Sequence, residues 1–235
     1  MSEINVSIPA GAKKRLLTGG KYCPDDIVVE VVGGGDTDAA FEAGRKAEYD
    51  AFWDTYQNYG EPTHYYYAFN RTKWTDENYN PKYPIVCMDL IEAGRCIFDT
   101  NTVITDTKVP ITVLGSSANR MFGTANALVT VRELNVHEGV VFSDTFAGCF
   151  NLENLTITGT VGQSINLRYS HRLTKTSIIS VMTALSINVT GQSATFSSIA
   201  VNKAFETSEG ANDGTTSAEW SILVATKPNW TISLV

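Results

Sequence analysis

The side chains equipped for chemistry are few. The chain carries three histidines, His64, His137 and His171, and histidine is the usual acid or base near neutral pH. None stands in a recognisable catalytic motif, and His171, in YSHRLT, lies close to an expected helix start, where a solvent-facing or capping role suits it. A serine nucleophile on a strand-to-helix elbow needs G-x-S-x-G, and GSSAN at Gly115 departs from that pattern. The GGGD run from Gly33 to Asp36 is no phosphate loop, because no Lys-Ser or Lys-Thr follows the glycines. Asp and Glu number 25 but are scattered through turns and helix starts, so no pair is singled out for glycosidase-type acid–base work. DTDAAFE and NVHEG lack the D-x-D-x-D-G spacing of a calcium loop. The four cysteines, Cys23, Cys87, Cys96 and Cys149, lack metal-type pairing. No catalytic residue, metal ligand or cofactor is assigned, and the expectation is a protein that is not an enzyme.

What remains is recognition. Between Glu61 and Pro84 the chain reads EPTHYYYAFNRTKWTDENYNPKYP, with Tyr65, Tyr66, Tyr67, Phe69, Trp74, Tyr79 and Tyr83 in close succession. Flat rings with polar tips stack on sugar faces or fill protein interfaces. They serve equally to cover the open end of a stack of repeats, whose core must be kept dry. Tyr65, Tyr66, Tyr67 and Trp74 are the binding candidates.

The element that must carry such a surface is an internal repeat. Phe98, Phe122 and Phe146 stand 24 residues apart, and Ile104, Leu128 and Leu152 keep the same step and offset. Each copy has a Phe, a tight turn, an Asn-x-Leu or Asn-Leu, then a β-rich stretch, so each contributes one strand and one buried corner. Units this short cannot bury their apolar side alone, and the pattern predicts a small solenoid cored by Phe, Leu and strand aliphatics. Cys149, in FAGCF, is expected to point into that core as a structural thiol. The ladder loosens after Leu155, because the next step from Phe146 lands on Ser170.

Around this zone the chain divides into four parts. Residues 1–35 read as a small β unit, INVSI and DIVVEVV joined through Gly19 and Gly20, ending in the flexible Gly33–Gly35 joint. Residues 36–84 hold a helix capped by Thr37 or Asp38, then the aromatic segment. Residues 85–170 are the solenoid. Residues 171–235 are an α/β cap: a helix in LTKTSIISVMTAL capped at Thr174 or Thr176, a strand in ATFSSIAV that turns into a helix through Phe205, a helix in AEWSILVATK stopped by Pro228, and a last strand in WTISLV. The fold class is thus α+β.

Composition narrows the partners. With 235 residues, 43% of them hydrophobic, the chain can bury a sizeable core. Its net charge of -7 repels phosphate backbones and anionic lipid, so neither nucleic acid nor membrane is an expected partner. No basic region followed by an apolar one opens the chain, and no run of about 18 apolar residues occurs, so the expectation is a protein made and folded in a cytoplasm with reduced thiols.

MFGTANALVTV and FAGCFNLENLTI resemble the BspA-type leucine-rich repeats of bacterial surface proteins. A fuller resemblance, nearly end to end, is to phage structural proteins of gut Firmicutes and their prophages. It runs through KRLLTGGKYCPDDIVVEV, FWDTYQNYG, YYYAFNRTKWTDENYNPKYPI, FAGCFNLENLTITGTVGQSINL, LTKTSIISVMTALS and ATKPNWTISLV. That resemblance implies a virion tail, baseplate or fibre component. Its N-terminal unit would dock on other tail proteins and its repeat surface would face a host glycan or protein, or a neighbouring subunit. A homo-oligomer is implied, a trimer being the default for fibres. The first copy, RCIFDTNTVITD, departs from the pattern by lacking the glycine turn. The alternatives are a purely architectural baseplate or decoration subunit, a bacterial BspA-like adhesin and a wall-degrading enzyme. The absent export signal weighs against the adhesin and the absent acid–base constellation against the enzyme.

Overall fold

The structure, a computed structural model, describes residues 75–77, 79–81, 84–87 and 97–235. The expected N-terminal β unit, the helix after Asp36, and Tyr65, Tyr66, Tyr67 and Trp74 lie outside the described residues. What is described is a mixed α+β arrangement built on a β-solenoid of about four turns, with three helices.

Four short strands, β1 (Ile85–Cys87), β2 (Ile111–Val113), β3 (Thr130–Val136) and β4 (Asn154–Gly159), form one all-parallel sheet in that order. Parallel neighbours need a connection of a dozen or more residues, which each coil of the repeat supplies. The register sets Ile85 beside Ile111, Ile111 beside Leu134 and Leu134 beside Ile157, a buried aliphatic column inside the coils. β3 alternates buried Val131, Leu134 and Val136 with outward Arg132 and Asn135, shifting register once between Val131 and Leu134.

The corners stack as the strands do. Phe98 and Phe122 lie with ring centroids 5.5 Å apart and planes 19° apart, and Phe122 and Phe146 5.6 Å and 18°. Tyr79 packs edge-on against Phe98 at 5.6 Å. Ile104, Leu128 and Leu152 are buried beside it. Backbone bonds tie corner to corner: Phe98 N–H donates to Met121 O at 2.7 Å and Phe122 N–H to Thr145 O at 3.0 Å. The residue two after each Phe adopts positive φ, at Thr100 (61°), Thr124 (55°) and Gly148 (78°). Only the third corner uses the residue suited to it, so the first copy keeps the turn despite lacking its glycine.

The sheet ends on a helix. α1 (Lys175–Ala184), capped by Thr174, packs along β4 where a fifth strand would lie. Its Ser177 Oγ accepts from Leu155 N–H at 2.9 Å and donates to Glu153 O at 2.8 Å, and Ser180 Oγ accepts from Ile157 N–H at 2.9 Å. Serines three apart share one helix face, and here they stand in for the missing strand's backbone. Ile178, Val181 and Met182 bury the same helix against the core.

Parallel pairing does not stop at residue 170, the expected end of the solenoid. A second sheet runs β5 (Ile165–Leu167), β6 (Gln192–Phe196) and β7 (Trp230–Leu234), with α2 (Ser198–Ala204) and α3 (Ala218–Ala225) between its later strands. The 24-residue step fails there because helices lengthen the coils. Lys227 fastens this part back to α1, donating to Leu185 O at 2.6 Å and Thr183 O at 3.3 Å at the helix C-terminus. Partial burial pulls its pKa down.

Ser170, one 24-residue step beyond Phe146 in the sequence, is fully buried, and its Oγ has no hydrogen-bond partner among the described residues. An unpaired buried hydroxyl is destabilising, so Ser170→Ala is expected to raise stability by about 1 kcal/mol in urea unfolding. A loss of stability would mean that the hydroxyl is bonded.

Candidate functional site

Cys149 and Phe150 leave the third corner in opposite directions. Gly148 turns the chain, Cys149 N–H donates to Phe146 O and Phe150 N–H to Gly148 O. Cys149 is thereby fully buried, with Sγ donating to Phe122 O at 3.1 Å, while Phe150 stands 47% exposed. The next corner, after β5, alternates in the same way: Tyr169 and His171 face out and Ser170 faces in. Asn166 Oδ1 accepts from Arg168 N–H at 3.1 Å and Ser170 N–H donates to Leu167 O at 3.0 Å, which fixes that bend.

The two corners bring together an aromatic cluster. Tyr169 meets Phe150 edge-to-face at 5.7 Å, and the His171 ring lies roughly parallel to Phe150 at 6.2 Å. The Arg168 guanidinium sits 4.5 Å from the centre of the Tyr169 ring. A polar border runs beside them: Arg172 pairs with Glu153 at 2.6 Å and donates to Asn151 Oδ1 at 3.3 Å, and Asn151 Nδ2 donates to Asn126 O at 2.8 Å. The cluster holds flat apolar faces, a cation and amide groups on a backbone fixed by two stacked coils. That equipment binds and orients a ligand.

Other groups are occupied structurally. His171 Nδ1 lies 2.9 Å from Ser197 Oγ, the spacing of a base and its nucleophile. Ser197, however, is fully buried and caps α2, so its hydroxyl serves the helix. His137 braces a turn, Nε2 lying 3.0 Å from Gly115 O and Nδ1 accepting from Gly139 N–H at 3.2 Å. Among the described residues no group of three or more His, Cys, Asp or Glu is placed to hold a metal, and no helix is long and apolar enough to cross a membrane.

Burial pushes the Cys87 and Cys149 thiols up from an ordinary value of 9.0 to about 12. Folding therefore favours the neutral thiols. Their contribution to stability is complete below the unfolded value of 9.0 and is lost as pH climbs from there through about 12. In a Cys23→Ser/Cys96→Ser variant, a disulfide reagent at about pH 8 is expected to leave both remaining thiols untouched until the protein unfolds. Stoichiometric labelling of the folded protein would contradict this burial.

Of the residues singled out in the sequence, Phe98, Phe122, Phe146, Ile104, Leu128, Leu152 and Cys149 come together in the interior, and the four aromatic binding candidates fall outside the described residues. Phe150, Tyr169, His171 and Arg168 were not singled out as a cluster. One signal was available: Phe150 is apolar where the previous copy has the exposed Asn126. Comparisons with family models, curated proteins and solved structures found no match to this chain.

Proposed function

We propose that this chain is a non-enzymatic component of a phage tail, a fibre, baseplate or receptor-binding protein, which uses a stiff repeat scaffold to present a recognition surface. The observation that supports this most is the Phe98–Phe122–Phe146 column, because it fixes the outward Phe150 corner on an interior packed in register. Rigid scaffolds lower the entropy lost on binding. In this reading the coils are leucine-rich-repeat-like, residues 171–235 close the stack, residues 1–35 attach to other tail proteins, and the protein resides in the virion as a homo-oligomer, with a trimer favoured.

The test is retention of purified protein on Firmicute cells. Wild type is expected to bind and Phe150→Ala, Tyr66→Ala or Trp74→Ala to lose binding without losing assembly. Light scattering after size-exclusion chromatography is expected to give a multiple of 25.6 kDa. Absence of cell binding in every oligomeric state would refute adhesion, and a strict monomer would count against a fibre.

One feature favours the architectural reading. Ile187, Ile199, Ile222 and Val235 are all exposed in the C-terminal part, and exposed aliphatics suit subunit contacts. Under that reading Phe150→Ala leaves assembly intact and there is no cell binding to lose.

A further inference from the structure

We propose that Phe150, Tyr169 and Arg168 form a subsite for an acidic sugar, a pyranose ring bearing a carboxylate. This rests on the reading of that corner as a recognition surface and names what it takes.

The first ground is charge. Among the described residues Arg120 pairs with Asp99, Arg132 with Asp106 and Arg172 with Glu153, each across neighbouring coils. Arg168 alone of the described arginines has no carboxylate partner among the described residues, and its guanidinium lies over the Tyr169 ring. In a chain of net charge -7 an unpaired guanidinium is not explained by a general basic surface. Its position over the ring restrains a planar fork of donors, which matches a carboxylate bidentately.

The second ground is the apolar face. Phe150 keeps 47% of its surface in water while Tyr169 holds it edge-on and His171 lies against it, so the ring is pre-positioned. An aromatic face offers a sugar ring's C–H groups an apolar contact at small entropic cost. Tyr169 touches both the cation and the exposed ring, which places the two contacts one side chain apart. A simple anion would use only Arg168, and a neutral sugar only Phe150. An acidic sugar uses both. The Asn151 amide, held by Asn126 O and Arg172, keeps its second N–H to donate to a hydroxyl.

The experiment titrates the full chain with trigalacturonate and, separately, with galactotriose, its neutral counterpart, by calorimetry or ligand-observed NMR. Trigalacturonate is expected to saturate below about 10 mM and to bind about tenfold more tightly than galactotriose, weakening as salt rises. Arg168→Gln is expected to remove that preference, lowering acidic binding about tenfold and leaving neutral binding unchanged, with Arg168→Lys between the two. Phe150→Ala is expected to weaken both. Arg168 and Phe150 are both exposed, and a matching urea midpoint confirms that each variant folds. Equal binding of the two sugars, indifference to Arg168→Gln, or no saturation by trigalacturonate would each overturn the proposal. If trigalacturonate fails while cell retention persists and depends on Phe150, only the sugar assignment falls; if retention is absent too, the recognition reading falls with it.

Discussion

Phe122→Ala is expected to lower the free energy of unfolding by about 3–5 kcal/mol, read as a shift of the urea midpoint at unchanged slope. Phe122 is fully buried and has a ring on each side, Phe98 at 5.5 Å and Phe146 at 5.6 Å. Truncation removes its buried apolar surface and both ring contacts, and it leaves a cavity between coils whose backbones are hydrogen-bonded together and cannot collapse into it. Repeat stacks are held by nearest-neighbour interfaces, so a defect in the middle coil weakens two of them. Phe122→Leu, which keeps most of the volume, is expected to cost less than half as much. Equal costs for the two substitutions would mean that stacking in this column is not what joins the coils.

The double substitution Ser177→Ala/Ser180→Ala is expected to cost about 3–5 kcal/mol and to promote association of the protein with itself. Alanine is the better helix former, so propensity alone predicts that each change stabilises α1 by a few tenths of a kcal/mol. The opposite sign is expected because these hydroxyls serve β4 and not the helix. Without them Leu155 and Ile157 lose the acceptors of their N–H groups, and Glu153 O loses a donor, in a setting where Leu155 and Ile157 are buried. Glu153 O keeps the Thr174 N–H, and each of the two N–H groups left unsatisfied costs about 1–3 kcal/mol. Ser177→Ala is expected to carry most of the effect, since Ser177 is buried and bonds both β4 and the capping Thr174. Stabilisation of the double variant would contradict the role assigned to α1.

How much of this was legible in the sequence follows from what has a period. The Phe and Ile/Leu ladders repeat because each coil must bury the same corner, and Thr174 announces α1 because a cap needs a short polar acceptor. Ser177 and Ser180 look like ordinary polar residues on a helix, since their purpose depends on a strand that only tertiary packing brings beside them. Thr100 and Thr124 hide the turn that Gly148 advertises, because local sequence does not reveal that the stack imposes positive φ on a threonine. The β5–β6–β7 sheet lacks a constant step because α1, α2 and α3 stretch the connections unequally. The Phe150 corner joins residues from two coils, and no local motif links Phe150 to Tyr169.

Amide hydrogen exchange at Leu155 and Ile157 tests most directly the claim that the coils form a sealed and stiff scaffold, closed by α1. In the wild-type protein both amides are expected to exchange only with global unfolding, together with Leu134 in β3, and in Ser177→Ala/Ser180→Ala to exchange faster by local opening. Rapid exchange of Leu155 and Ile157 in the wild type, while Leu134 stays protected, would show that the sheet edge is open and that α1 does not close the stack.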